Sequence, residues 1–173
     1  MRRRSSEANL VRVKTVAIYP GSFDPVTLGH LSVLKRAAGL FSEVVVVVVH
    51  NPSKDPLFSI AERVALFEAA AKDLGANIRF SGLAEGLLVD HAKSLGATAI
   101  IKGFRTTADI EYELPMAQVN RDLSAIETVF VPAEPGYGYV SSSLVKEVVR
   151  LGGDASGYVS ESVLTALRER LSQ

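Results

Sequence analysis

The stretch YPGSFDPVTLGH, Tyr19–His30, gathers two prolines, two glycines, the hydroxyls of Ser22 and Thr27, a carboxylate and an imidazole. Gly21, placed directly after an apolar run, can let the backbone approach an anion closely. The helix expected to open at Thr27 offers unpaired N–H groups and partial positive charge. His30, in its first turn, carries a ring directed back over the preceding turn, and Gly29 beside it leaves that ring uncovered. An imidazole N–H so placed can donate to a phosphoryl oxygen as charge builds, and a donor of that kind is typically worth about two to three orders of magnitude in rate. Further along, AEPGYGYVSSS ends on Ser141, Ser142 and Ser143 at a helix start. There hydroxyls and backbone N–H groups can bind phosphate oxygens jointly while capping the helix. Lys102 stands directly after TAII, where burying an unpartnered charge would be costly. These groups suit anion binding and displacement at phosphorus. No Ser-His-Asp constellation accompanies them, and neither G-x-x-x-x-G-K-[ST] nor G-x-G-x-x-G occurs, which excludes the two commonest phosphate loops.

Elements able to position these groups follow from the apolar pattern. Strands are expected at residues 15–19, 43–49, 77–80, 98–102 and 127–131, and Val44–Val49 shows no polar alternation, as suits a central strand covered on both faces. Helices are expected at 27–40, 59–74, 87–95, 109–123, 142–151 and 160–171; Ser59 and Glu62 make a capping-box pattern. The alternation predicts an α/β fold: a single-domain, Rossmann-like, doubly wound five-stranded parallel sheet with helices on both faces. Ligands of such sheets bind outside the carboxyl ends of the strands, and PGSFDP, HNPSKDP, KGFR and AEPGYGYVSSS each follow one of the strands.

The chain has 173 residues, zero formal net charge and no cysteine. One domain over 13–173 after a flexible 1–12 extension is expected. A neutral chain has no global field for nucleic acid or anionic lipid. The absent thiols exclude disulfides and thiolate catalysis, and suit a cytoplasmic protein. The longest apolar run, Val44–Val49, is too short to span a bilayer.

GSFDP followed by T-x-G-H resembles the nucleotidyltransferase superfamily with its [HT]-x-G-H signature. NPSKDPLFSIAERV, IKGFRTTADIEYEL and SSSLVKEV resemble, within it, the bacterial phosphopantetheine adenylyltransferase family, over about 13–171. The resemblance implies transfer of the adenylyl group of ATP to 4′-phosphopantetheine, giving dephospho-coenzyme A and pyrophosphate. It also implies Mg²⁺ held mainly by ATP phosphates, coenzyme A as a feedback inhibitor, and a homohexamer. Ser22, His30 and Lys54 are then catalytic. Ser22, Phe23, His30, Gly103, Phe104, Arg105, Glu113 and the run Tyr137, Gly138, Tyr139, Val140, Ser141, Ser142 and Ser143 bind ATP. Ser22, Lys54, Leu88 and Lys102 bind the acceptor, and no residue is assigned to metal. Lys54 alone reads as a solvated loop lysine; only the resemblance gives it a role. Lys102 stands where the family often has Arg, keeping the charge without the bidentate fork. Asp24 is expected to hold its loop by accepting backbone N–H bonds, and His50 and His91 to be structural. Pro115 stands inside a helical segment where the family commonly has Gln, so a kink or break is expected near residues 111–115.

Two other readings compete. A related nucleotidyltransferase would use nicotinate mononucleotide or glycerol 3-phosphate as acceptor; PSKDPLF, KGFR and SSSLVKE favour phosphopantetheine. A non-catalytic nucleotide-binding module would keep the glycines and lose the reactive charges, yet Ser22, His30, Lys54, Lys102 and Arg105 are all present. A tRNA synthetase would need a tRNA-reading domain, and this chain has neither the length nor a basic surplus.

Overall fold

A computed structural model of the chain describes residues 14–51 and 55–172. The expected 1–12 extension and Lys54 lie outside the described residues. The elements run β1 (Val16–Gly21), α1 (Leu28–Leu40), β2 (Glu43–Val49), α2 (Ile60–Ala71), β3 (Ile78–Leu83), α3 (Leu88–Ser94), β4 (Ala99–Phe104), α4 (Thr107–Ser124), β5 (Glu127–Pro132), α5 (Ser142–Arg150) and α6 (Glu161–Leu171). A 3-10 turn, Pro135–Tyr137, precedes α5.

The six valines of β2 divide by parity, because successive strand side chains face opposite ways. Val44, Val46 and Val48 enter one core with Val33 and Leu34 of α1, Phe67 of α2 and Leu167 of α6. Val45 and Val47 enter a second core with Ala92 of α3. Val44 to Val48 are all essentially inaccessible, each contributing about 1.5 kcal/mol or more by burial. The expected architecture is the one observed: a five-stranded parallel sheet of order β3-β2-β1-β4-β5, with α1, α2, α5 and α6 against one core and α3 and α4 on the opposite side.

Between β1 and β4 the winding reverses. Their register covers only Ala17↔Ala99 and Ile18↔Ile100, while β1 stays paired to β2 as far as Gly21↔Val48. Pro20, which cannot donate to a ladder, falls beyond the last β1–β4 pair. A crevice therefore opens at the carboxyl ends of β1 and β4, the position ligands take in this architecture.

Helix α4 departs from expectation. It runs unbroken from Thr107 to Ser124 through Pro115. Glu111, whose carbonyl loses its partner, and Pro115 are both exposed, so the freed acceptor is open to water. Asn120 is the buried residue of this helix, whereas Tyr112, Met116, Val119 and Leu123 line up along an exposed apolar stripe. Pro115→Ala is expected to raise stability by about 1–2 kcal/mol, since the regained hydrogen bond and relieved clash outweigh the unfolded-chain entropy that proline removes. Urea unfolding at equilibrium checks this; no rise in midpoint would contradict it.

Candidate nucleotide site

The loop after β1 is built around Phe23. A Cβ on Gly21 would lie 2.6 Å from the Phe23 ring, so glycine is required there for the phenyl to fold back under the strand end. That packing is one use of Gly21 that the structure shows. Phe23 itself takes φ 44°, a left-handed conformation costing about 1–2 kcal/mol outside glycine. Its ring, 3% exposed, meets Tyr19, Phe67 and His30 edge-on, with 5.1 Å between the Phe23 and His30 centroids. A buried phenyl thus sets the plane of the imidazole. At Gly29 a Cβ would come 3.3 Å from Tyr137 Cβ, so glycine there also admits the 3-10 turn close to α1.

Thr27 is the N-cap of α1 rather than its first residue, and His30 completes a capping box in the place usually taken by Glu or Gln. The His30 backbone N–H is held by Thr27 Oγ1 at 3.4 Å, and the Thr27 backbone N–H donates to His30 Nδ1 at 3.0 Å. Because Nδ1 accepts, the neutral ring carries its proton on Nε2. Burial, and after it the positive charge of Arg105, lower the His30 pKa from 6.5 to about 4. His30 is therefore a neutral Nε2–H donor at pH 7. The unfolded chain binds this proton more readily than the folded one, so the group's contribution to stability is complete above about pH 6.5 and declines as pH falls toward 4. NMR titration of the His30 ring should show its midpoint near pH 4; a midpoint between 6 and 7 would contradict this assignment.

Ser22 opens into a cleft shared with Asp24, Asn51, Arg63, Ser142, Ser143 and Lys146. Asp24 holds its loop as expected, accepting from the backbone N–H groups of Leu57 and Phe58 at 2.9 and 3.0 Å. Two cations not foreseen from the sequence complete the cleft. Arg63, on α2, is 2% exposed and donates to the carbonyls of Ser22 at 2.7 Å, Val49 at 3.2 Å and Ser59 at 3.4 Å. It thereby ties the ends of β1 and β2 together. Lys146, on α5, pairs with Asp24 at 2.7 Å.

At the end of β4, Lys102 is half-buried and pairs with Glu113 of α4 at 2.9 Å. Gly103 and Phe104 finish the strand. Arg105 grips Asp109 through Nε and Nη2 and donates to the Val140 carbonyl at 3.2 Å, linking β4 to the segment before α5. Within that segment Tyr137 closes the 3-10 turn, Gly138 follows it, and Val140 is buried. Tyr139 is exposed and stacks edge-on with Tyr158. Ser141 caps α5 by accepting from the Leu144 N–H, and Ser142 Oγ donates to the Pro25 carbonyl at 2.8 Å. Neither α1 nor α5 has an acidic residue in its first turn, so both positive helix ends stay unneutralised near the crevice. Leu88 begins α3 and packs on the second core, apart from the Ser22–His30 loop. His91 bonds Ser81 at 3.0 Å, and His50 is exposed. Among the described residues no three His, Cys, Asp or Glu side chains gather into a cation site, and no helix is long and apolar enough to cross a membrane.

A switch-point crevice carrying a T-x-G-H capping box, flanked by two helix N-termini, defines a nucleotidyltransferase of the cytidylyltransferase-like family, whose model matches residues 18–148. The chain is 50% identical over 160 residues to the phosphopantetheine adenylyltransferase of Clavibacter michiganensis subsp. michiganensis and 49% identical over 159 residues to that of Caldanaerobacter subterraneus subsp. tengcongensis. Each alignment covers 91% of this chain and 98% of the relative. The chain belongs to the phosphopantetheine adenylyltransferase family. The fold is also that of a solved putative nicotinate-nucleotide adenylyltransferase from Vibrio parahaemolyticus, with TM-score 0.67 at 19% identity over 92% of this chain and 95% of that one.

Proposed function

We propose that domain 13–173 transfers the adenylyl group of ATP to 4′-phosphopantetheine, yielding dephospho-coenzyme A and pyrophosphate, a step of coenzyme A synthesis. The observation that supports the reading is His30, whose Nδ1 accepts from the Thr27 N–H and whose neutral ring therefore keeps Nε2–H as its donor. The acceptor phosphate is already anionic at neutral pH, so no general base is needed. One of its oxygens attacks the α-phosphorus of ATP in line, the bond from that phosphorus to the bridging oxygen breaks, and pyrophosphate departs with the electron pair. Catalysis is then positioning and charge stabilisation.

His30 bonds the α-phosphate as it becomes five-coordinate, and Ser22 and Lys54 orient the reacting phosphates. Lys102 takes the acceptor phosphate and Leu88 the pantetheine arm. Arg105 faces the triphosphate together with Ser141, Ser142 and Ser143, while Phe23, Gly103, Phe104, Glu113, Tyr137, Gly138, Tyr139 and Val140 line the nucleotide. Asp24, the buried carboxylate of the cleft, is occupied by two amides and an ammonium. The described residues therefore do not fit a resident metal ion, and Mg²⁺ enters on the ATP phosphates as part of the substrate. Coenzyme A, which carries the same arm, inhibits by occupying the acceptor site. The exposed stripe Tyr112, Met116, Val119 and Leu123 supports burial of α4 against other copies in a homohexamer, and the cysteine-free chain suits the cytoplasm.

The test is pyrophosphate release with MgATP and, in parallel, 4′-phosphopantetheine, nicotinate mononucleotide or no acceptor. Release dependent on phosphopantetheine is expected. Turnover with nicotinate mononucleotide alone would overturn the acceptor, and ATP binding without turnover on any acceptor would overturn the enzyme reading.

A further inference from the structure

We infer that Lys146 is a positioning residue for the transfer, acting through Asp24 to set the start of α5 against the loop that carries Ser22 and His30; this rests on the adenylyl-transfer reading. Asp24 is 7% exposed, and its two oxygens serve three partners from two other parts of the chain. Oδ1 accepts from the Phe58 N–H at 3.0 Å, and Oδ2 accepts from the Leu57 N–H at 2.9 Å and from Lys146 Nζ at 2.7 Å. One carboxylate thus joins the β1–α1 loop, the approach to α2 and the body of α5.

Helix α5 is tied a second time, by Ser142 Oγ to the Pro25 carbonyl at 2.8 Å. Ser142 and Lys146 are four residues apart, on one face of the helix. Two ties one turn apart fix the rotation of α5 about its own axis as well as its distance from the loop. That rotation decides where the Ser142 and Ser143 backbone N–H groups point relative to His30. In the adenylyl-transfer reading both sets of donors address one triphosphate, and a displacement of about 1 Å can cost about a hundredfold in rate. Lys146 is the cation paired with Asp24 among the described residues, so a phosphate contact is not its first use: its charge is already met by a buried carboxylate.

The test compares Lys146→Met, Lys146→Arg, Asp24→Asn and the Asp24→Asn/Lys146→Met double variant. Lys146→Met keeps the stem and loses the ammonium; its kcat should fall about 10- to 100-fold with KM for ATP and phosphopantetheine within about threefold. Lys146→Arg, which keeps the charge, should return to within about threefold of wild-type kcat. The double variant should be no slower than the slower single one, because the pair acts as a unit. Hydrogen exchange at the Leu57 and Phe58 amides, read without any substrate, should quicken in both single-charge losses. Wild-type kcat in folded Lys146→Met, additive losses in the double variant, or unchanged exchange at those amides would each overturn the inference. Should Lys146→Met not fold, Asp24→Asn and Lys146→Arg carry the same comparison. A wild type that ignores phosphopantetheine counts against the proposed function instead, and the exchange measurement still decides the tie.

Discussion

His30→Ala is expected to lower kcat by about 10²- to 10³-fold while ATP binding changes by only a few-fold. The ring is held by its Nδ1 to the Thr27 N–H and edge-on to Phe23, which leaves Nε2–H as the neutral ring's donor. A donor aimed at charge that develops only in the transition state affects kcat rather than ground-state affinity. Some destabilisation follows as well, because the Thr27 N–H loses its acceptor at the start of α1. Single-turnover pyrophosphate release and equilibrium ATP titration separate the two effects. A variant whose kcat stays within threefold of wild type would contradict the role; so would one whose whole loss lies in ATP affinity.

Arg63→Met is expected to destabilise the fold by about 2–4 kcal/mol. Methionine fills much of the stem's volume but donates to nothing, so the carbonyls of Ser22 and Val49 lose the guanidinium that now satisfies them. Each buried acceptor left without a partner costs about 1–3 kcal/mol. Burial presses against the charge and Asp24 opposes that pressure, yet guanidinium stays protonated in proteins, so the native group is a permanent cation behind the cleft. For a chain of this size the loss corresponds to a fall in Tm of roughly 10 °C. Activity should fall as well, since the Ser22 carbonyl is one of the atoms released. Thermal unfolding with a native-like circular dichroism spectrum at low temperature checks the first effect. A Tm within 2 °C of wild type would contradict it.

How much of this was legible in the residues depends on range. Val44–Val49 announced a strand buried on both faces because strand periodicity acts within one element. The clusters at the strand ends announced the crevice for the same local reason. The Thr27–His30 capping box was half legible: the spacing is that of a box, but the pattern expects Glu or Gln where His30 stands. Arg63 left a signal that went unread, since it recurs with Phe67 and Ala71 every fourth residue on the buried face of α2, where a charge needs partners. Those partners, Ser22 and Val49, lie on other elements, and no local rule identifies them. Lys146 and Asp24 are 122 residues apart in sequence, so their pairing is a product of topology. The expected break at Pro115 failed for an environmental reason: α4 is largely exposed, and water can replace the lost helical bond. Whether a helix is covered is decided by its neighbours rather than by its own residues.

The central claim is a single direct displacement at the α-phosphorus, with no residue of the chain becoming adenylylated. Its most direct test uses ATP chirally thio-substituted at the α-phosphate, with 4′-phosphopantetheine as acceptor, and assigns the configuration of the dephospho-coenzyme A product by ³¹P NMR. Inversion is expected, because the acceptor oxygen enters opposite the departing pyrophosphate. Retention would mean two successive displacements through a covalent adenylyl-enzyme, and would contradict the account of Ser22 and His30 as positioning and stabilising groups.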